Sequence, residues 1–263
     1  MSIEEIIGVF LLICFLGYFF YIVYKAVKLY GINSFKKAKK LTFSEKQLLL
    51  NTFPIYGQLP LKYKHRFEER IAHFRMGKKF IFQGEIEKKE ELKLLLSATA
   101  VMLTLGVKDY LIASINRIII YPSKYFSRLN NRHHLGEYNP KLKTLVFSAE
   151  HVFEGFKIPN DNRNLGVHEF AHALSFNAID NQNAEDRTFI KGLSALHKLL
   201  NDAEFESKLN KSTYFRDYAK VNKHEFFAVA VENFVETPDL FFNNFPEIYA
   251  ILKNMLRVEF KRT

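Results

Sequence analysis

His168-Glu169-Phe170-Ala171-His172 sets two imidazoles four residues apart, with a carboxylate beside the first. On a helix that spacing stacks both rings on one face, so each can offer a nitrogen to a single ion at roughly 2.0 to 2.1 Å. Glu169 then stands where it can take a proton from water that the ion activates. The flanking residues favour a helix. Leu165, Val167, Phe170, Ala171 and Leu174 supply a buried side, Asn162 or Asn164 can cap the start, and neither Pro nor Gly interrupts residues 167–178. The competing reading is a surface helix that carries two histidines near a glutamate by chance.

A catalytic zinc usually takes three protein ligands and a water, so a third donor is needed downstream. The metzincin pattern requires Gly and His where this chain has Ser175 and Ala178, and is excluded. The single cysteine, Cys14, rules out a cysteine-ligated zinc and any intramolecular disulfide. His197 and His224 could ligate, although packing at a helix surface accounts for each. Glu225 and Glu232 lie seven residues apart on a predicted helix over 222–235, and so on one face. That face also carries Ala228 and Val229, and a buried carboxylate is costly unless paired or metal-bound. Tyr218, seven residues before Glu225, could donate its phenol to a developing oxyanion, or simply pack in the core.

The elements that must position these groups can be read in outline. Periodicity predicts helices over 44–51, 62–76, 87–105, 184–199, 202–210 and 245–260, with Pro54 and Gly106 as stops. Residues 79–83 and 116–121 read as strands. Thr144-Leu145-Val146-Phe147-Ser148 reads as a further strand, placed where a zinc peptidase of this kind keeps an edge to which an extended peptide can add; an ordinary core strand is the rival. No repeat or low-complexity tract is present.

In front of all this lies Ile6 to Tyr24, 19 residues without a charge, long enough to span a bilayer as a helix. A cleaved signal peptide would need a basic leader and small residues at the cut, and neither is present. Lys25, Lys28, Lys36, Lys37, Lys39 and Lys40 follow the run and no Lys or Arg precedes it, which predicts a cytoplasmic location for the bulk of the chain. The same lysines suit an anionic lipid surface. A formal net charge of +10 could also serve nucleic acid, but the basic run abuts the apolar one and no nucleic-acid module is recognisable, so no such partner is expected.

From Leu59-Pro60 to about Phe245 the chain resembles the Mlc titration factor A family of zinc-dependent peptidases. The matching segments are IIIYPSKYF (118–126), GEYNPKLKTLVFSAEHVFEG (136–155), NLGVHEFAHAL (164–174), DYAKVNKHEFFAVAVENF (217–234) and ETPDLF (236–241). The resemblance implies a zincin fold similar to the catalytic domain of anthrax lethal factor. It also implies zinc ligands at His168, His172 and Glu225, a general base at Glu169 and a supporting tyrosine at Tyr218. Glu232 falls on a further family glutamate, expected to support a ligand rather than to be one. Two departures stand out: Ser175 replaces an Asp that the family often has, and the best-known member, a soluble factor linked to a sugar-transport repressor, has no membrane segment, so that partner does not carry over.

The resulting expectation is an α+β chain with a single-pass membrane anchor at 1–30, a basic juxtamembrane tether at 31–58 and a zincin-like peptidase domain at 59–263. Its cofactor is Zn2+, its substrate a peptide or protein, and its further contacts membrane lipid and a regulatory protein partner. Rival readings are a non-catalytic zinc-binding protein that binds a protein partner, and a structural membrane tether.

Overall fold

A computed structural model describes residues 2–29, 38–127, 131–181 and 184–260. The chain divides into two compact units, Met1–Lys39 and Lys40–Thr263. In the first, helix α1 (Ile3–Leu29) has 27 residues, about 40 Å at 1.5 Å per residue. Its stretch Glu4–Tyr24 is long and apolar enough to cross a membrane, and Phe10, Leu11, Phe15 and Phe20 along it are exposed. Lys36 and Lys37, part of the expected basic cluster, lie outside the described residues. Lys39 and Lys40 are exposed.

The second unit opens with α2 (Phe43–Thr52), started by a reciprocal cap in which Thr42 Oγ1 accepts from Glu45 N and Glu45 Oε2 accepts from Thr42 N. Pro54 does not merely end that helix. It takes the first position of α3 (Pro54–Gln58), where its missing N–H costs nothing. Of the stretch expected as tether, 31–37 lies outside the described residues, while Leu49, Phe53 and Tyr56 are buried. Tyr56 donates to Glu68 Oε1 at 2.7 Å on α4 (Leu61–Gly77). α4 buries Phe67, Ile71 and Phe74 at spacings of four and three. Its buried Arg70 donates to the carbonyls of Thr104, Leu105 and Val107, just beyond the end of α5 (Lys89–Leu103). The last turn of α5 is closed by the Thr104 and Leu105 amides, which donate to the carbonyls of Ala100, Val101 and Met102, and the guanidinium ties down the chain that follows. Gly106 permits instead a close approach, since a Cβ there would lie 1.9 Å from the carbonyl oxygen of Arg257.

Between and after these helices run β1 (Lys79–Phe82), β2 (Arg117–Tyr121), β3 (Tyr125–Ser127), β4 (Arg132–His134), β5 (Gly136–Asn139) and β6 (Thr144–Ser148). β1, β2, β6 and β5 form one sheet in that order, and β3 with β4 a separate antiparallel pair. β1, β2 and β6 are parallel, with Ile118 level with Phe80 and Leu145. β5 pairs antiparallel with β6, Gly136 opposite Phe147. The edge expected at 144–148 is therefore at 136–139. The buried residues of β6, among them Leu145 and Phe147, fit an interior strand, whereas the polar four-residue β5 carries no apolar alternation to announce it.

Behind the sheet come α6 (Ala149–Lys157), α7 (Leu165–Asn181), α8 (Ala184–Leu200), α9 (Ala203–Lys211), a 3-10 turn (Asp217–Lys220), α10 (Lys223–Glu236), α11 (Pro238–Asn244) and α12 (Pro246–Leu256). α6, unanticipated, starts on Ser148, whose hydroxyl accepts from His151 N. Pro238 and Pro246 each open a helix, so the segment after α10 is two short helices rather than a stop and one long one. α7 packs on α5, α8, α10, β5 and β6. Phe170 anchors it, with its ring centroid 6.0 Å from Phe74 and 5.9 Å from Phe147. This joins α4, the sheet and α7 in an α+β core. Removing that fully buried ring in Phe170→Ala is expected to cost about 3–5 kcal/mol in urea unfolding; a loss below about 1 kcal/mol would take Phe170 out of the core.

Candidate metal centre

α7 begins on Asn164, whose Oδ1 accepts from Val167 N at 3.1 Å and whose Nδ2 donates to the Gly155 carbonyl at 3.0 Å. The cap fixes the helix phase. Val167, Phe170, Ala171 and Leu174 turn into the core, and His168 and His172 turn together towards α10, Nε2 to Nε2 3.2 Å apart. α10 is capped by Asn222, whose Oδ1 accepts from His224 N at 2.9 Å and Glu225 N at 3.0 Å. That places Glu225 in the first turn, its Oε2 3.0 Å from His168 Nε2 and 3.5 Å from His172 Nε2.

The three separations decide what the site can hold. Donors bonded at 2.0–2.1 Å to a tetrahedral ion sit about 3.3 Å from one another, and the observed edges of 3.2, 3.0 and 3.5 Å form such a triangle. Among the described residues His168, His172 and Glu225 are the group whose donor atoms could converge on a metal ion. Two imidazole nitrogens and one carboxylate oxygen at this range fit a divalent cation that displaces the protons they share. Glu232 closes the other side of His168: its Oε1 lies 2.5 Å from Nδ1, and its side chain keeps only 1 % exposure. The carboxylates of α10 thus grip both nitrogens of a single ring. Ser175 donates to the His172 carbonyl at 2.8 Å and so ties the helix backbone at the position where the family often has an acid.

The charges follow this geometry. Burial alone would raise the Glu225 carboxyl, but the hydrogen bonds from His168 and His172 outweigh it and hold the group well below the ordinary carboxylate range. Burial would lower His168, yet Glu225 and Glu232 raise it. Glu169 is 5 % exposed, and burial raises its carboxyl against the opposing pull of the two histidines. Its surroundings are tight: a Cβ on Gly136 of β5 would lie 2.7 Å from Glu169 Oε1 and 2.7 Å from Leu165 Cδ1. Tyr218, on the 3-10 turn, is half exposed, with its ring 5.8 Å from that of His168. Burial first, then the neighbouring Glu225 carboxylate with which it hydrogen-bonds, push its phenol up to about 12.

Thus His168, His172, Glu225, Glu169 and Tyr218 lie around one space, while His224 stacks on Phe176 at 6.3 Å and His197 lies outside the donor group. Sequence reasoning missed Gly136 and Arg216, whose guanidinium donates to both oxygens of Glu232 at 2.7 Å. The first shows itself only as a close approach; the second had one available signal, the need of a buried Glu232 for a cation. Glu225→Ala is expected to weaken zinc binding more than about 100-fold, and Glu232→Ala by the 10–100-fold usual for a group behind a ligand; a competition titration giving the reverse ranking would exchange their places. Gly136→Ala should displace Glu169 and lower kcat at least about tenfold at unchanged zinc affinity, and unaltered turnover would show that the Glu169 side chain has slack.

The profile of the glucose-regulated metallo-peptidase M90 family matches residues 32–257. An uncharacterized protein of Synechocystis sp. is 23 % identical to this chain over 231 residues, covering 81 % of this chain and 82 % of that protein. With the match spanning α2 through α12, the chain belongs to the glucose-regulated metallo-peptidase M90 family, the family that its motifs resemble.

Proposed function

We propose that this chain is a membrane-anchored zinc metallopeptidase in which His168, His172 and Glu225 hold the ion and Glu169 and Tyr218 act on the peptide bond. Membership of a metallopeptidase family implies a divalent metal, typically zinc, and a peptide or protein substrate. The observation that carries the finer reading is the triangle of donors at 3.0, 3.2 and 3.5 Å, with a buried carboxylate one residue along the helix. We assign a zincin-like peptidase domain to 59–263, an anchor to 1–30 and a basic tether to 31–58, the last part of which, α2 and α3, packs onto the domain. The lysines that follow α1 favour a cytoplasmic domain beside anionic lipid.

A divalent metal held there supplies Lewis-acid polarisation of the scissile carbonyl and an acidified water. Glu169 accepts the proton of the attacking water on its carboxylate and passes it to the leaving amine. Its raised affinity for protons suits an acid that must hold one between two steps. Tyr218 donates its O–H to the carbonyl oxygen as that atom becomes negative, and a phenol held at about 12 stays protonated at neutral pH to do so. β5 has β6 on one side and no strand on the other among the described residues. An extended substrate can add along that open edge, and Gly136, the place where β5 meets Glu169, lies on it.

Glu169→Gln preserves shape and removes the base. The variant is expected to bind one zinc with wild-type affinity and to lose peptide cleavage by several orders of magnitude, read by metal analysis and a chromogenic peptide assay. Full activity would remove Glu169 from the reaction, and zinc-loaded wild type with no turnover on any peptide would favour a zinc-binding partner protein instead.

A further inference from the structure

Arg216 lies outside the donor set and beside it. Its Nη1 and Nη2 donate to Glu232 Oε2 and Oε1, each at 2.7 Å, a two-pronged contact that fixes a carboxylate's plane. Nη1 also donates to the Asn162 carbonyl, in the loop that leads into α7. The remaining capacity of Glu232 is taken by Asn164 N, 3.1 Å from Oε2, and by His168 Nδ1, 2.5 Å from Oε1. An ionised carboxylate only accepts, so His168 donates through Nδ1 to Glu232, and Nε2, 3.0 Å from Glu225 Oε2, is the nitrogen left to ligate once an ion displaces the proton it shares with that carboxylate. The Arg216 guanidinium carbon also lies 5.9 Å from the centre of the Tyr218 ring.

We infer that Arg216 is a positioning residue that sets the His168 ring through Glu232 and the Tyr218 phenol through its ring, so that one guanidinium governs metal affinity and phenol placement together. The inference rests on the metal reading above and reaches beyond it to a residue that touches neither metal nor substrate. The chain here is held by other means, which makes the side chain separable from its loop. Phe215 is 3 % exposed, and its ring packs 5.1, 5.7 and 5.0 Å from Phe226, Phe241 and Phe245. Tyr214 hydrogen-bonds Thr237 at 3.1 Å.

Arg216→Met keeps the stem and removes the fork. In the full chain in detergent micelles, zinc affinity measured by competition with a chromophoric chelator is expected to fall about 10–100-fold. Arg216→Met/Glu232→Gln removes the buried charge as well, while the amide oxygen still accepts from His168 Nδ1, so most of the affinity should return. kcat on a chromogenic peptide should stay low in both, because Tyr218 has lost its neighbour. Arg216→Lys, a single point charge, should recover only part of either quantity.

Zinc affinity within twofold of wild type in Arg216→Met overturns the inference, as does a double variant that binds no better than the single one. A kcat that returns with affinity removes the Tyr218 arm. If Arg216→Met does not fold, Arg216→Lys and the double variant carry the same comparison. Wild type that takes up zinc but cleaves nothing ends the peptidase reading and leaves the affinity comparison standing, whereas wild type that binds no zinc ends both.

Discussion

Two imidazole nitrogens and a carboxylate oxygen lie within 3.5 Å of one another, and so close a convergence requires two helices held at fixed rotation and distance. Everything else around it can be understood as the means of holding that cluster. α7 and α10 pack directly on each other, and their caps, Asn164 and Asn222, set the rotation of each helix so that the donors meet. Phe170 holds α7 against α4 and the sheet, which makes the metal helix part of the core rather than an addition to it. A loosely packed helix would let the two rings turn apart, since their shared hydrogen bonds to Glu225 hold them only where α7 and α10 stay in register.

The second constraint is the buried carboxylate of Glu232. At 1 % side-chain exposure it requires compensation on each oxygen, and His168, Asn164 and Arg216 provide it. This assembles three chain segments distant in sequence: the entry to α7, the middle of α10 and the turn that bears Tyr218. Glu225 and Glu232, seven residues apart, approach opposite nitrogens of His168. One helix face thereby supplies both the candidate ligand and the group that orients its neighbour, each exposed according to its task.

Much of this was legible in the residues themselves. The helices of α4 and α8 follow from an apolar stripe on one face, whereas α5, α7 and α10, buried on nearly every side, follow from long apolar runs. The motif on α7 pointed to its own chemistry, and the family likeness identified Glu225 where spacing alone left Glu225 and Glu232 level. β3, β4 and β5 escaped notice because strands of three or four residues are too short to show a period. For the same reason the sheet's edge was placed one strand too far in: pairing is a tertiary fact, and β6 and β5 differ in sequence only by how apolar they are. Arg216 was invisible because its role depends on two hydrogen-bond partners, Glu232 and Asn162, at separations of 16 and 54 residues.

Successive residues in extended backbone point to opposite sides, and Arg216 is extended, at φ −63° and ψ 152°. Phe215 accordingly enters the aromatic cluster of α10, α11 and Phe245 while Arg216 turns to the buried acid. Two adjacent side chains therefore bind durability and chemistry into one short piece of chain. Repacking of the phenylalanines around Phe215 would therefore swing the neighbouring guanidinium away from Glu232 even though none of them touches it.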